Sequence, residues 1–295
     1  MIQSSTAEHR WPGLTPTLAI IGPVRERAPT LDRGASQCVP DCRGMARPEP
    51  LDAAVKARGV LYEIARRRAT ALSLRFVSDF DQSDIAYVPT TGVRRYVETP
   101  ILVASEESLK GYGCIVDRPQ EFPIEIVRWP ARGWRPVDKN SGDQGGVTEG
   151  VFEFWWKGQT LFARNNAVGD SYLFGWSHWP EEASTAGASP TRERALIWRA
   201  NYHPDGGQLF YPLGDGAFVV PLALPGDDVT PEKFVTFWCD GTRGIYLHPN
   251  VWHGAVVPVA DHARMLDRQG RVHARVSVNF PAEFGCYLAV PLRCP

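Results

Sequence analysis

The 295-residue chain lacks the features that direct a protein to a membrane or to a nucleic acid. It has no run of about 18 apolar residues, so the sequence predicts no membrane-spanning helix. The 32 basic and 33 acidic side chains leave a net charge of −1, which gives no overall attraction to nucleic acid or to an anionic membrane. Neither a signal peptide nor an amphipathic transit helix is recognisable at the N-terminus. We therefore expect a cytoplasmic protein that binds neither nucleic acid nor membrane.

The cysteines are few and scattered. The six of them form no repeated pairs of the kind that binds zinc and no dense disulfide framework. Cys38 and Cys42 are an isolated pair in a proline-rich stretch, where chance explains the spacing better than a metal site does. We expect all six cysteines to be reduced, as is usual in the cytosol. The chain also has no internal repeat of fixed period.

Turn-forming and aromatic residues, by contrast, are abundant. The 27 glycines, 25 prolines and 10 tryptophans favour short strands and frequent turns over long helices. From about residue 99 onward, short apolar runs follow one another, among them GVFEFWWKGQTLFARNN, ALIWRANYH, GQLFYPL, AFVVPLAL and KFVTFWCD. This pattern predicts an all-β sandwich, jelly roll or barrel with one or two peripheral helices, one of which starts at Ser105.

The first third of the chain differs from the rest. Residues 1–50 contain seven prolines and little periodic pattern, which is typical of disorder. Residues 51–70 predict a short helix, and the alternating run ALSLRFVSDF after it predicts a strand. We therefore divide the chain into a largely disordered N-terminal extension, residues 1–95, and a β domain, residues 96–295.

Two segments resemble the halves of a cupin motif, in which two histidines and a carboxylate bind a metal inside a small barrel. In WRANYHPDGGQLFYPLGDGAFVV, residues 198–220, Asn201 and His203 stand where the family has His-x-His, and Gln208 stands where it has glutamate. In GIYLHPNVWHGAVVPV, residues 244–259, His253 stands at the remaining ligand position. The resemblance implies a cupin-like jelly roll, or double-stranded β-helix barrel, with His203 and His253 pointing inward.

The residues at the four ligand positions do not favour a metal. Divalent ions prefer imidazole and carboxylate ligands, whereas Asn201 and Gln208 are neutral amides. We therefore expect no cofactor and no metal ligands, and a pocket that binds a polar organic molecule. A weakly bound divalent metal stays open as an alternative.

An ordered set of segments resembles the ureidoglycolate lyase family, whose members are cupin-like barrels. The set runs from about residue 99 to 290 and comprises SEESLKGYGCIVD, FARNNAVGD, IWRANYHPDGGQLFYPL, FVVPLALPGDD, GIYLHPNVWHGAVVPV and LDRQG. The resemblance implies a lyase of purine catabolism and allantoin degradation that splits a small molecule, ureidoglycolate, into glyoxylate and urea. It also implies a homodimer. The family usually has Glu-Arg at the positions of Asn201 and Tyr202, and His-Pro at those of Gly254 and Ala255, so a different amide leaving group is open.

The chemistry implied by this resemblance assigns roles to particular residues. Breaking the C–N bond of a carbinolamide needs a base, an acid and a group that holds the carboxylate. We assign base and acid to His203 and His253, in either order. Arg199 lies on the same strand face as Asn201, which makes it the candidate carboxylate ligand.

Further candidates would contact the rest of the substrate. The amides of Gln208 and Asn166 are candidates for the urea end, and Asn201 is a further candidate for substrate binding. Arg268 forms either a substrate contact or an ion pair with Asp267, and Trp252 is a pocket wall or a core residue. His248, five positions before His253, is expected outside the pocket. Two other functions stay open: a metal-dependent cupin dioxygenase or isomerase acting on a small organic acid, and a non-catalytic cupin that binds such an acid.

Overall fold

The computed structural model describes residues 92–127, 133–139, 141–142, 144–186, 191–272 and 274–295. The predicted leader at 1–50, the helix at 51–70 and the strand that follows lie outside these residues, so the division at residue 95 stays a prediction. The first strands are β1 (Tyr96–Glu98), β2 (Ile101–Val103), β3 (Gly113–Val116), β4 (Gln144–Lys157), β5 (Thr160–Asn165), β6 (Asp170–Trp176), β7 (Arg194–Ile197), β8 (Arg199–Tyr202) and β9 (Gln208–Pro212).

The remaining elements follow the same short-strand pattern. They are β10 (Phe218–Ala223), a 3-10 turn (Pro231–Lys233), β11 (Val235–Cys239), β12 (Gly244–Leu247), β13 (Trp252–His253), β14 (Val257–Pro258), β15 (His262–Val272), β16 (Val276–Asn279), the helix α1 (Phe280–Phe284) and β17 (Tyr287–Pro291). The predicted all-β class is confirmed. No helix in the described part of the chain is both long and apolar enough to cross a bilayer.

The strands form two sheets. The first sheet has the order β1-β17-β7-β6-β5-β4-β15-β9-β12-β3, and the second has the order β16-β8-β13-β10-β11-β2, with β14 added beside β10. Neighbouring strands are antiparallel except for β1 with β17 and β2 with β11. The two sheets face each other, as in a cupin-like barrel.

Apolar side chains from both sheets fill the space between them. One core cluster joins Phe154 of β4 and Phe210 of β9, in the first sheet, to Phe218 and Val220 of β10, in the second. A second cluster joins Trp156 and Ile197 of the first sheet to Tyr202 and Val219 of the second. Each fully buried large side chain stabilises the fold by about 1.5–3 kcal/mol relative to an exposed one, so this shared core holds the sheets together.

The longest hairpin shows how the sequence produces this arrangement. In β4 the alternate residues Phe152, Phe154 and Trp156 are buried and point between the sheets, as the period of a strand requires. The chain reverses at Gly158, whose φ of +57° suits glycine. A Cβ at Gly158 would lie 2.1 Å from the carbonyl oxygen of Ser184, so only glycine fits there.

Strand β15 is long and central, but its sequence does not alternate apolar and polar residues. It pairs with β4 on one side and β9 on the other. Its alternate residues Met265, Asp267 and Gln269 are buried, and two of these three are polar. The side chains of β15 do alternate between the two faces of the sheet. Because two of the inward side chains are polar, the strand lacks the apolar–polar alternation by which a strand is recognised in a sequence.

The prediction of a helix that starts at Ser105 is wrong. One turn forms there, with Leu109 N–H donating to the Ser105 carbonyl oxygen at 3.0 Å and Ser108 N–H donating to Ser105 Oγ at 3.1 Å. It stops at Gly111, whose φ is +88°. Gly113 then enters β3 close against β12. Helix α1 is short, with Asn279 as its N-cap and Gly285 at φ +61° as its C-cap.

Candidate active site

A cavity of about 430 Å³ lies between the two sheets. Strands β4, β5, β6, β9 and β15 line it from the first sheet, and β8 and β13 line it from the second. Its apolar wall includes Phe152, Phe154, Phe174 and Phe210. Its polar lining residues are Ser141, Asn165, Asp170, Tyr172, Arg199, Asn201, His203, Gln208, His253, Gln269, Arg271 and Arg275. A concave cavity with an apolar wall and convergent polar groups is typical of a small-molecule site, and the large polar share of this lining suits a polar ligand.

Two histidines meet on the second-sheet side of this cavity. Arg199 and Asn201 alternate onto the cavity side of β8, and His203 directly after the strand continues the alternation. His253 on β13 is the cross-strand partner of Asn201. The ring centroids of His203 and His253 are 5.0 Å apart. Asn201 Nδ2 lies 3.3 Å from the Nε2 atom of each ring, so one amide bridges both imidazoles.

The hydrogen bonds of the rings determine which nitrogen carries the proton. His203 Nδ1 lies 3.0 Å from the carbonyl oxygen of Ala274, and His253 Nδ1 lies 3.0 Å from that of Val251. A carbonyl oxygen only accepts, so both Nδ1 atoms donate and both Nε2 atoms are acceptors in the neutral rings. Burial lowers the pKa of His253 to about 4, against a weaker opposite effect of the Val251 carbonyl. The His253 ring is therefore neutral at pH 7, and its Nε2 atom can accept a proton.

Arg199 brings a positive charge to the same cavity. Its guanidinium carbon lies 5.0 Å from the ring centre of Trp198 and 5.8 Å from that of Tyr172. Burial, followed by the nearby charge of Arg275, lowers the pKa of Arg199. Among the described residues, no carboxylate forms an ion pair with Arg199, whereas Arg275 donates to Asp138 at 2.8 Å. Arg199 is thus available to an anionic ligand.

A buried carboxylate lies beneath the opposite wall. Asp267 is fully buried and accepts hydrogen bonds from Gln208 Nε2 at 2.8 Å and Asn165 Nδ2 at 2.9 Å. Burial raises the pKa of Asp267 to about 6, and the two hydrogen bonds act in the opposite direction. Asn165 Oδ1 in turn accepts from Ala167 N–H at 2.8 Å. These contacts order the polar wall formed by β5, β9 and β15.

The structure brings most of the residues predicted from sequence together. His203, His253, Arg199, Asn201 and Gln208 all line the cavity. His248 is exposed and lies outside the cavity, where we expected it.

Asn166 and Arg268 do not line the cavity, which corrects two predictions. On β5 the cavity-facing residue is Asn165, whereas Asn166 is exposed and donates its N–H to the Val151 carbonyl. Arg268 alternates to the outer face of β15, donates to the Phe122 carbonyl oxygen at 2.8 Å and pairs with Glu149 at 3.2 Å. It therefore contacts neither the cavity nor Asp267 through an ion pair.

Trp252, a candidate for substrate contact, belongs to the core and not to the cavity wall, which is a third correction. Its side chain is fully buried, and its Nε1 donates to the Gly226 carbonyl oxygen at 2.8 Å. Its ring packs edge-on against Tyr202 at a centroid distance of 4.6 Å. The alternation of β13 explains this, since His253 takes the cavity side and its neighbour must take the other.

Sequence reasoning did not find several residues that line the cavity, nor the buried carboxylate of Asp267 beneath its wall. Asp267 and Gln269 could have been found from their separation of two on a single strand, had β15 been recognised. Asn165 is one position from the residue that was proposed. Tyr172, Arg271 and Arg275 carry no local signal, because only the packing of the two sheets brings them to the cavity.

The donor set does not fit a cupin metal centre. The four positions hold two imidazoles and two amides, and Gln208 already donates to Asp267. Within the described ranges, no group of three or more His, Cys, Asp or Glu side chains is arranged to hold a metal ion. Asp267, the nearby carboxylate, accepts a hydrogen bond from an amide donor at each of its two oxygens and is not among the residues that line the cavity, so we derive no chemical step through a metal.

Residues 185–277 match the ureidoglycolate lyase family model. The resemblance expected from the sequence is therefore confirmed over this segment, which is shorter than the expected range of 99–290. We call residues 185–277 the ureidoglycolate lyase-like segment.

Individual relatives match a part of this chain. A protein named ureidoglycolate lyase from Azotobacter vinelandii is 37% identical over 70 residues, which cover 23% of this chain and 42% of the relative. Proteins of the same name from Salmonella paratyphi B and Salmonella newport are each 35% identical over 66 residues, covering 22% of this chain and 41% of the relative. The chain thus spans about two fifths of the length of these relatives.

The ureidoglycolate lyase-like segment carries both histidines and the three cavity-lining arginines. It also carries Gln208, Asp267 and Gln269. Asn165 and Tyr172 come from β5 and β6, which precede the segment.

Proposed function

We propose that this cavity catalyses the cleavage of ureidoglycolate, or of a closely related carbinolamide acid, to glyoxylate and urea. The observation that carries the proposal is the convergence of two imidazole Nε2 atoms on one cavity that also holds Arg199, which forms no ion pair with any carboxylate of the described residues. The match of residues 185–277 to the ureidoglycolate lyase family supports the same reaction.

The reaction needs one proton transfer in each direction. One imidazole Nε2 takes the proton of the substrate hydroxyl, and the oxygen electron pair forms the C=O bond of glyoxylate as the C–N bond breaks. The departing nitrogen takes a proton from an imidazolium and leaves as urea. Protons and electrons balance, because the elimination consumes no water and no oxidant. Each transfer contributes typically ~10²–10⁴-fold to the rate.

The geometry around the rings suits such transfers. The Val251 and Ala274 carbonyl oxygens hold the Nδ1–H groups, so each ring presents Nε2 to the cavity. Since burial favours neutral His253, this ring starts as a base, and an imidazolium formed there returns its proton readily. The neutral form of His253 thus favours this ring as the base, while the positions of the two rings also allow the reverse order.

The two ends of the substrate require different contacts. Arg199 is the partner for the carboxylate, because a guanidinium binds a carboxylate through two parallel hydrogen bonds. Arg275 adds positive charge on the same side, as its effect on the pKa of Arg199 indicates. The amide-rich wall of β9 and β15 is opposite in character, with a donor–acceptor pattern that suits the ureido group.

Turnover of ureidoglycolate to glyoxylate and urea by the purified, chelator-treated protein tests the proposal. His253→Ala should lower kcat by ~10²–10⁴-fold, about 3–5 kcal/mol of barrier, with the fold intact by circular dichroism. His248→Ala, a histidine outside the cavity, is the matched control and should change kcat by less than about tenfold. Absence of turnover on ureidoglycolate and on related hydroxy-amide acids contradicts the proposal, as does a larger effect of His248→Ala.

The proposal has further parts. The family resemblance implies a homodimer and a place in allantoin degradation. The cytoplasmic location is the expectation drawn from composition, and the lack of a cofactor is the expectation drawn from the two neutral amides at the ligand positions. A metal-dependent dioxygenase or isomerase is not favoured, because the donor set lacks the carboxylate and the third imidazole that such centres use. A non-catalytic acid-binding protein would bind ligand without turnover, which the same assay detects.

A further inference from the structure

Two glutamine side chains lie next to each other on one wall of the cavity. Gln208 on β9 and Gln269 on β15 are cross-strand partners, and both line the cavity. Their residues are only 4% and 5% exposed. Among the described residues, the one side-chain hydrogen bond of this pair is that of Gln208 Nε2 with Asp267, and neither Gln208 Oε1 nor the Gln269 amide belongs to the fully enclosed polar atoms that lack a partner, so both groups are open to the cavity. A ligand that displaces water from the cavity without pairing with these groups would cost about 1–3 kcal/mol for each of them, so a ligand that pairs with them is favoured.

A relay of hydrogen bonds fixes the orientation of Gln208. The backbone N–H of Ala167 can only donate, so Asn165 must turn its Oδ1 toward it and its Nδ2 toward Asp267. The ionised Asp267 carboxylate only accepts, so Gln208 must turn its Nε2 toward it. The one orientation left for Gln208 presents Oε1 to the cavity as a hydrogen-bond acceptor.

We propose that Gln208 and Gln269 form a subsite for a terminal carbamoyl group, and that Asp267 is the positioning residue that makes Gln208 an acceptor for the ligand's NH₂. The inference rests on the proposed function, because the ureido end of the substrate carries this group. Gln208 Oε1 takes one N–H of the ligand. Gln269 can donate to the ligand's carbonyl oxygen or accept a second N–H.

The subsite predicts discrimination at one atom. A ligand that ends in NH₂ satisfies Gln208 Oε1, whereas one that ends in CH₃ buries that oxygen without a partner. A site built to pair with an N–H group rejects the analogue that lacks it more strongly than a hydrophobic pocket rejects an extra methyl group. From the cost of one unpaired buried acceptor, we expect a preference of about 5–100-fold for the NH₂ ligand.

Two unreactive probes measure this preference without turnover. Ureidoacetate ends in NH₂ and N-acetylglycine ends in CH₃, and both carry the same carboxylate for Arg199. Neither has the hydroxyl that the reaction requires. Isothermal titration of the wild-type protein should give the tighter dissociation constant to ureidoacetate, by about 5–100-fold.

The variants test the residues one by one. Gln208→Met, Gln269→Met and Asp267→Asn should each reduce the preference to less than about threefold, while N-acetylglycine binds within about threefold of wild type. Asp267→Asn allows the Gln208 amide to turn over, so it tests positioning separately from contact. The exposed residues Gln120 and Asp215 provide matched controls, Gln120→Met and Asp215→Asn, which should keep the wild-type preference. Circular dichroism confirms that each variant is folded.

The outcomes separate this inference from the proposed function. Wild-type protein that binds both probes equally overturns the subsite, even if it turns over ureidoglycolate. A preserved preference in all three cavity variants overturns it as well, and an equal weakening of both probes in Asp267→Asn overturns the positioning role. A third outcome is that the wild-type protein prefers ureidoacetate and the variants lose this preference, but the protein does not cleave ureidoglycolate. This outcome supports the subsite and contradicts the proposed reaction.

Discussion

Lowering the pH from 7.5 to 4.5 acts on two buried groups of the cavity in opposite directions. For His253 the folded-state pKa of about 4 lies below the ordinary value of 6.5, because burial disfavours the imidazolium. Between these two pKa values the unfolded chain binds a proton that the folded protein does not. His253 therefore contributes stability above pH 6.5 that is lost as the pH falls toward 4, about 2–3 kcal/mol at pH 4.5.

The effect of pH on the stability that Asp267 contributes has the opposite sign. Burial raises its folded-state pKa to about 6, above the ordinary value of 3.8, so the folded protein binds a proton before the unfolded chain does. The resulting stability is fully present below pH 3.8 and is lost as the pH rises through 6. Going down from pH 7.5 to 4.5, this carboxyl group adds about 2 kcal/mol. In the wild-type protein the two contributions nearly cancel.

Variants that cannot titrate separate the two contributions. His253→Gln removes the stability loss that wild type suffers at low pH because of His253. When the pH is lowered from 7.5 to 4.5, the free energy of unfolding of this variant relative to wild type should therefore increase by about 2–3 kcal/mol. Asp267→Asn removes the stability that wild type gains when Asp267 is protonated. The free energy of unfolding of this variant relative to wild type should therefore decrease by about 2 kcal/mol between pH 7.5 and 4.5. Other titrating groups are common to all three proteins and cancel in the comparison.

Guanidinium chloride denaturation followed by tryptophan fluorescence measures these free energies at both pH values. Urea is unsuitable as the denaturant because it is a proposed product. The reasoning is refuted if both variants keep the pH dependence of the wild type within about 0.5 kcal/mol, or if the two changes have the same sign.

Two further predictions concern single residues of the framework. Asn165→Ala removes the link between Ala167 and Asp267 and should lower the free energy of unfolding by about 1–3 kcal/mol, whereas Asn166→Ala should change it by less than about 0.5 kcal/mol in the same denaturation assay. Gly113→Ala places a Cβ 1.8 Å from the Tyr246 carbonyl oxygen and should cost about 3 kcal/mol or more, while Gly214→Ala, with nothing within 4 Å of its Cβ, should cost less than about 1 kcal/mol. Equal free energies of unfolding for the two variants of either pair contradict the corresponding contact.

The second-sheet side of the site could be predicted from the sequence because local alternation determines it. Arg199 and Asn201 are separated by two on one strand, and His203 continues their spacing, so a correct strand assignment brings all three to one face. His253 follows from the same rule once β13 is placed. The resemblance to known segments supplied the register.

The first-sheet side could not be predicted in the same way. On β15 the inward positions Asp267 and Gln269 are polar, so hydrophobic periodicity gives no strand signal there. On β5 an error of one residue exchanged Asn165 for Asn166, because the strand ends at Asn165 and the inward alternation stops there. Arg275 reaches the cavity through tertiary packing, which no local pattern encodes. The helix expected at Ser105 failed because Gly111 ends the turn after one repeat.

The position of β15 between β4 and β9 has a consequence for fragments of this chain. Residues 185–277 include β9 and β15 but not β4, which forms the longest pairing that β15 makes. Excision of that segment would leave the eleven residues of β15 with one open hydrogen-bonding edge, a ready template for intermolecular strand pairing and aggregation. The excised piece would also lose Asn165, and with it one of the two donors that hold Asp267. A soluble miniature of the site therefore has to carry β4 and β5 with it, or replace β4 by a designed strand that covers the open edge.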